Sequence, residues 1–357
     1  MKSKYNNNSP IVVHAPNWVG DHAMAFPFYL TLRELFPDYP KILLGRSWIS
    51  SLVPEGIFDK IIIADKNKSF AKSFTEKHPP KPFLAVTLSP SFRSALTLHK
   101  LKPELIIGYK TDFRNFLLKY PPARGSQRIP PLYIHEHRAL SYIRLLTPFF
   151  PNNQTAENYF AEFAHYTWRF PIKKKKKEHL EELKKTHKIG SKSILLCPGS
   201  VAPSKIYPVE HLVQLIEIIF FRKFASEILL VGSHIEKPFA QEILRLLPEK
   251  LRPKVKDITT QTSLNELIHL MREAKAVIAN DSGVAHLTSL AQVPLVSFQG
   301  MGRKEETVPL NYQKQILHKQ LSCSPCMKKN CPRIKDKLQC LKDITPEEVA
   351  DSLEKLI

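Results

Sequence analysis

Ala276-Val277-Ile278-Ala279-Asn280-Asp281-Ser282-Gly283-Val284-Ala285-His286 changes its periodicity halfway along. The opening apolar run is too short for a helix and reads as a strand buried on both faces. Asn280-Asp281-Ser282-Gly283 is a loop of turn-forming residues. Residues 284–291 continue as a helix, and Pro294-Leu295-Val296-Ser297-Phe298 is the next strand. Strand, short loop, helix and strand in that order predict one repeat of a parallel sheet covered by helices.

The same alternation runs outward from this stretch. Ser193-Ile194-Leu195-Leu196-Cys197 is a strand whose following loop contains Pro198-Gly199-Ser200, and a helix spans about 209–222. Ile228-Leu229-Leu230-Val231 is a strand ending in Gly232-Ser233; helices follow over 238–247 and 264–273, the latter capped by Ser263. In the first half, Ile11-Val12-Val13-His14-Ala15 is a strand. The loop Pro16-Asn17-Trp18-Val19-Gly20-Asp21 leads into a helix over 22–36 that Pro37 stops. Further strands are predicted at 41–44, 61–63, 84–88 and 105–107. Order thins over 120–166, where a helix is expected at 136–146. Lys173 to Lys177 are five lysines in a row. They read as the exposed end of an interdomain linker running into a charged helix over 178–187, with a lysine-reading partner as the alternative. Two open α/β sheets in tandem place ligand crevices at the carboxyl ends of their strands.

A chain of 357 residues suits two domains, and a hydrophobic content of 43% excludes a disordered protein. No apolar run is long enough for a transmembrane helix. The polar, Asn-rich start lacks the apolar centre of a signal peptide, so a cytoplasmic protein is expected. Fifty-three Lys and Arg against 33 Asp and Glu give a net charge of +20. That excess calls for an anionic partner: nucleic acid, an anionic membrane surface or a phosphorylated substrate.

Several loops offer chemistry. The helix start at Asp281-Ser282-Gly283 presents free N–H groups to an anion, with His286 in the first turn; the same residues also read as a plain helix cap. Lys205, beyond Gly199 and Ser200, either neutralises a diphosphate or is one more surface lysine. Asp21 is either a general base or a first-turn carboxylate. Glu236 either accepts from ribose hydroxyls or is a surface acid. Cys323, Cys326, Cys331 and Cys340 form C-x2-C-x4-C-x8-C, enough thiolates for a structural zinc site, with unligated or redox-labile cysteines as the alternative. No Walker pattern occurs.

Taken together and in order, these motifs resemble the heptosyltransferases of glycosyltransferase family 9. The likeness runs from Trp18-Val19-Gly20-Asp21 through Ser89-Pro90-Ser91-Phe92-Arg93-Ser94-Ala95-Leu96 and Gly108-Tyr109 with Arg114. It continues in Cys197-Pro198-Gly199 with Lys205 and Pro208, in Asn280-Asp281-Ser282-Gly283 with His286, and in Asp343-Ile344-Thr345-Pro346-Glu347-Glu348-Val349. Tyr207 stands where that family usually has tryptophan. The resemblance implies an α/β fold of GT-B type, with two Rossmann-like domains whose parallel sheets face across a cleft. Residues 1–172 would bind the acceptor, 173–343 the nucleotide sugar, and 344–357 would form a terminal helix. It implies metal-independent, inverting transfer of heptose from ADP-heptose to Kdo or heptosyl-Kdo of the lipopolysaccharide inner core, an anionic glycolipid at the inner membrane face. No cofactor and no nucleic-acid partner would be needed. Carried over, Asp21 is the base and Lys205 stabilises the leaving diphosphate. Gly199, Ser200, Glu236, Thr262, Asp281, Ser282, Gly283 and His286 hold the donor; Arg93 and Arg114 hold the acceptor. The alternatives are another nucleotide sugar, or a basic nucleic-acid-binding protein with a cysteine-rich metal module.

Overall fold

The computed structural model describes residues 8–64, 81–121, 135–190, 193–310 and 313–357. Most of the polar start, residues 1–7, lies outside them. The chain divides into two compact units, Met1–Phe170 and Pro171–Ile357.

In the first unit, strands β1 (Ile11–His14), β2 (Lys41–Gly45), β3 (Lys60–Ile63), β4 (Leu84–Thr87) and β5 (Leu105–Ile107) form one sheet. Its order is β3-β2-β1-β4-β5 and every pairing is parallel. The three central strands are almost wholly buried, as expected for a parallel sheet covered on both faces. The chain runs outward from β1 to β3, then returns to the other side of β1 as β4. The loops leaving β1 and β4 therefore diverge and open a crevice at the carboxyl edge. An aromatic group of Phe36, Tyr39, Phe83 and Phe149, ring centroids 5.2 to 6.5 Å apart, packs beneath the sheet.

The second unit repeats this plan with β6 (Ser193–Cys197), β7 (Glu227–Leu230), β8 (Val255–Asp257), β9 (Ala276–Asn280), β10 (Leu295–Gln299) and β11 (Lys314–His318). The order is β11-β10-β9-β6-β7-β8, again all parallel. The switch point lies between β6 and β9, whose register pairs Cys197 with Ala279. The core joins the inner faces of these strands to the helix Val209–Phe221 and the terminal helix Pro346–Glu354. Thr345 caps that last helix in a reciprocal box with Glu348, and Pro346 occupies its first turn.

The strands expected from sequence are present, each shifted by a residue or less at its ends, and two more complete the second sheet. Val255-Lys256-Asp257 and Lys314-Gln315-Ile316-Leu317-His318 are edge strands. Their polar residues serve an edge, which needs only one covered flank. Three helices differ from expectation. The first begins at Val19 rather than 22 and breaks at Ala25 into Val19–Met24 and Phe26–Leu35, with Pro27 in the first turn of the second piece. The region around 136–146 is helical only over Arg138–Arg144. Finally, the lysine run is not linker: Lys174 opens the helix Lys174–His187, with Lys173 as its N-cap residue. Lysine is a good helix former, and Leu180 and Leu183 supply that helix with a buried face. Among the described residues no helix is long and apolar enough to cross a membrane.

Candidate active site

In the second unit, the residues singled out from sequence gather on the loops that leave β6, β7 and β9. Lys205 ends a short 3-10 turn, Pro203–Lys205, and its Nζ lies 2.8 Å from Oδ2 of Asp281. Ser200 Oγ donates to the Asp281 carbonyl at 3.4 Å, and Asn280 Nδ2 donates to the Gly199 carbonyl at 3.2 Å. Asn280 Oδ1 accepts from Tyr207 N at 2.9 Å. These bonds tie the two loops that flank the switch point.

Glu236 is buried beside them. Its Oε2 accepts from Ser233 N at 2.6 Å and from Ser233 Oγ at 2.7 Å. Two glycines make room for it. A Cβ on Gly199 would stand 2.9 Å from Glu236 Cγ, and one on Gly232 would stand 2.5 Å from Glu236 Cβ. Gly232 also has φ +145°, which side-chain-bearing residues rarely adopt. The Cys197 thiol at the end of β6 is pushed up by burial and further by the Glu236 carboxylate, while the nearby Ser282 hydroxyl acts in the opposite sense. The thiol is therefore neutral here and serves as packing.

Ser282 is the N-cap residue of the helix Gly283–Ala291, but its side chain makes no cap bond. His286 is buried one turn into that helix. Thr262 is half-buried in the bend before the helix Leu264–Glu273. Its loop is tied to the same edge where Thr260 N donates to the Gly232 carbonyl at 2.8 Å. Tyr207 is fully buried. Its ring stacks on Phe298 with centroids 4.1 Å apart, and its hydroxyl donates to the Ile344 carbonyl at 2.7 Å. Tyrosine thus fills this position with a polar tip that reaches the terminal helix entry.

In the first unit, Asp21 sits half-buried in the first turn of Val19–Met24, at the carboxyl edge of β1. Burial pushes the Tyr142 hydroxyl up, and the Asp21 carboxylate pushes it further. His22 is fully buried. Its Nδ1 meets the Tyr29 hydroxyl at 3.0 Å, and Phe26 and Trp48 stand edge-on to its ring. Burial pushes this imidazole down to about 3, so the residue next to Asp21 is uncharged at neutral pH. The loops after β1 and β4 are joined by Asn17 Nδ2, which donates to Ser89 Oγ at 3.1 Å.

The two arginines separate. Arg93 is exposed in the first turn of Phe92–His99. Arg114 is 1% exposed, and its guanidinium is turned inward. Nη1 donates to the Ser89 and Ser91 carbonyls at 2.5 and 3.2 Å, and Nε to the Tyr109 carbonyl at 2.9 Å. The sequence places both on an anionic ligand; in the structure backbone carbonyls engage Nε and Nη1 of Arg114.

Cys323, Cys326, Cys331 and Cys340 are free thiols that line one small pocket with Ser204, Gly300 and Met301. Burial raises the Cys340 thiol, and the other three raise it further. Among the described residues, no three His, Cys, Asp or Glu side chains are already gathered as a ligand set.

Sequence reading missed Gly232, Ser204 and Asn17 as parts of these edges. Gly232 carried a signal, a glycine directly after a strand; the other two are ordinary loop residues whose partners lie far away in sequence.

The family model for glycosyltransferase family 9 (heptosyltransferase) matches residues 84–336. Lipooligosaccharide heptosyltransferase 2 of Campylobacter jejuni serotype O:2 is 28% identical over 352 residues, covering 97% of this chain and 98% of that protein. The Haemophilus influenzae protein of the same name is 26% identical, with 97% and 99% covered. Among solved structures, the Escherichia coli ADP-heptose LPS heptosyltransferase II is similar with a TM-score of 0.75 at 21% identity, covering 97% of this chain and 98% of that one. A family 9 glycosyltransferase from Veillonella parvula has a TM-score of 0.76 at 20% identity, covering 98% and 99%. The two α/β units are those of a GT-B glycosyltransferase, and the chain belongs to glycosyltransferase family 9, the heptosyltransferases.

Proposed function

We propose that this enzyme transfers heptose from ADP-heptose to the inner core of lipopolysaccharide, on Kdo or on a first heptose, with inversion at the sugar carbon. The observation that supports this most is the cluster on the loops of β6, β7 and β9. There a lysine, two glycines and a helix start meet a buried carboxylate, a set suited to a nucleoside diphosphate. Lys205 neutralises charge on the departing diphosphate, helped by the N–H groups at Gly283 and by Ser282. Ser200, Asp281 and His286 shape the same donor site. Glu236 takes the ribose hydroxyls, and Thr262 lies toward the base.

Asp21 is the general base. It takes the proton of the acceptor hydroxyl while that oxygen attacks the anomeric carbon. The bond from that carbon to the diphosphate oxygen breaks as the new one forms, and ADP leaves. Arg93, exposed on the first unit, meets the acidic acceptor; Arg114 holds the loop beneath it. We assign the transfer to side chains alone, with no cofactor, and give the four cysteines a structural role as a zinc site. The charge of +20 draws the enzyme from the cytoplasm to anionic lipid at the inner membrane face rather than to nucleic acid.

ADP release from ADP-heptose tests this reading when followed with and without an inner-core lipid acceptor. Release that depends on the acceptor is expected. Release that ignores the acceptor, or occurs only with a different nucleotide sugar, would contradict it.

A further inference from the structure

Residues 321–340 are turns and bends with only the start of a short helix, Gln339–Lys342, and not one of their side chains is buried. Met327 is 48% exposed and Ile334 is 92% exposed. A stretch without a core must be held by something other than apolar packing, and small coreless modules are commonly held by disulfides or metal. Its four cysteines, all free thiols, line one pocket. Leu338 N already donates to Cys331 Sγ at 3.4 Å, the kind of amide contact that orients a thiolate ligand.

The other residues lining that pocket include Ser204, on the loop after β6, and Gly300 and Met301, on the loop after β10. Ser204 Oγ lies 2.6 Å from the Lys328 carbonyl, to which its one proton points, and 2.9 Å from that of Lys329, while Ser204 N donates to the Lys329 carbonyl at 3.2 Å. The next residue is Lys205. Met327 N donates to the Met301 carbonyl at 3.0 Å, and Ser324 Oγ donates to the Gly300 carbonyl. Gly300 is close against the module, since a Cβ there would stand 2.7 Å from Cys340 Sγ. Two residues on, a Cβ at Gly302 would stand 3.2 Å from Asp281 Oδ2. Both members of the Lys205–Asp281 pair are therefore one short step from the cysteine segment.

We propose that Cys323, Cys326, Cys331 and Cys340 bind a soft divalent cation, zinc, and that filling this site fixes Ser204 and thereby the position of Lys205 in the donor site. Four thiolates suit the tetrahedral preference of zinc, and each thiol gives up its proton on binding. The thiols surround the pocket without being gathered as ligands, so the ion draws them in, which a segment with no buried side chain permits at little cost. Closing the segment tightens its bonds to Ser204 and to the Gly300–Met301 loop. Ser204 is a positioning residue; it acts through Lys205. The coupling rests on the reading of Lys205 as a diphosphate contact.

The test uses the full-length chain. Cobalt is titrated into stripped protein, the thiolate-to-cobalt absorption is recorded, and zinc is used to displace it. ADP affinity is measured by calorimetry on stripped and zinc-reloaded protein. One equivalent with a tetrahedral thiolate spectrum is expected, lost in Cys331→Ser, and stripping weakens ADP binding on the order of tenfold, restored by zinc. Ser204→Ala keeps the cobalt spectrum and weakens ADP binding to a similar extent. Absence of the spectrum in wild type, or four cysteines recovered as two disulfides by thiol counting, overturns the metal site. A normal spectrum with ADP affinity indifferent to both stripping and Ser204→Ala overturns the coupling. No ADP binding by zinc-loaded wild type sinks the diphosphate reading and the coupling together, while the cobalt spectrum still decides the metal site.

Discussion

The ammonium of Lys205 lies 2.8 Å from Oδ2 of Asp281, joining the loops that leave β6 and β9 at the point where the strand order of the second sheet reverses. In the proposed reaction a diphosphate would compete with Asp281 for this ammonium. Lys205→Met is expected to lower turnover about 100-fold and to weaken ADP binding, measured by steady-state kinetics and calorimetry. Lys205→Arg restores only part of the loss, because a planar fork does not replace a compact point charge. Full activity in Lys205→Met would remove Lys205 from the leaving-group role.

The two arginines of the first unit are expected to fail in different ways. Arg93→Ala raises the acceptor KM, and leaves ADP affinity and the melting temperature unchanged, because its side chain is exposed in this unit. Arg114→Ala removes the guanidinium hydrogen bonds to the carbonyls of Ser89, Ser91 and Tyr109 and empties the buried space that the side chain fills. It should cost roughly 3 kcal/mol of stability, read by denaturant unfolding. Equal melting behaviour of the two variants would contradict this division.

Gly232→Ala tests the fit of the Glu236 pocket. The added Cβ meets Glu236 Cβ and Cγ at 2.5 Å, and φ +145° is strained for alanine. A loss of about 1–3 kcal/mol is expected, together with weaker ADP binding, since Glu236 has to move. Unchanged stability would mean that the turn after β7 is free to relax.

His22 gives stability a pH dependence. The folded state holds this imidazole neutral, down to about 3, whereas an ordinary histidine takes up a proton near 6.5. The unfolded chain therefore binds the extra proton first. The contribution of His22 is complete above pH 6.5 and is lost progressively as pH falls toward 3. From pH 7 to pH 5 the loss is about 2 kcal/mol. In His22→Gln, which keeps a partner for the Tyr29 hydroxyl, the fall in denaturant stability over that interval should shrink by a comparable amount. An unchanged fall would assign the acid sensitivity elsewhere.

Much of this protein is legible in its sequence because short apolar strands handing over to helices state the parallel sheets directly. The edge strands β8 and β11 were hidden because Val255-Lys256-Asp257 and Lys314-Gln315 carry the polar residues that an edge tolerates. In the lysine run, charge masks the helical signal of Leu180 and Leu183, which give the helix its buried face. For the site, loop residues next to strand ends could be read one by one, and Lys205, Glu236 and Asp281 do share one sheet edge. What sequence could not give is which polar groups are already engaged. Arg114 looked free for a ligand, yet three carbonyls occupy it, and Ser204 looked ordinary until Lys328 and Lys329, far along the chain, came to lie against it.

Asp21 is the base in the proposed heptosyl transfer. The direct measurement is the mass of a heptosyl-Kdo-lipid A acceptor after incubation with ADP-heptose, timed for wild type and for Asp21→Ala, with ADP affinity measured alongside. One added heptose with wild type is expected. The variant should turn over at least about 100-fold more slowly while binding ADP as before. An acceptor of unchanged mass with wild type, or near-full transfer by Asp21→Ala, would contradict the account.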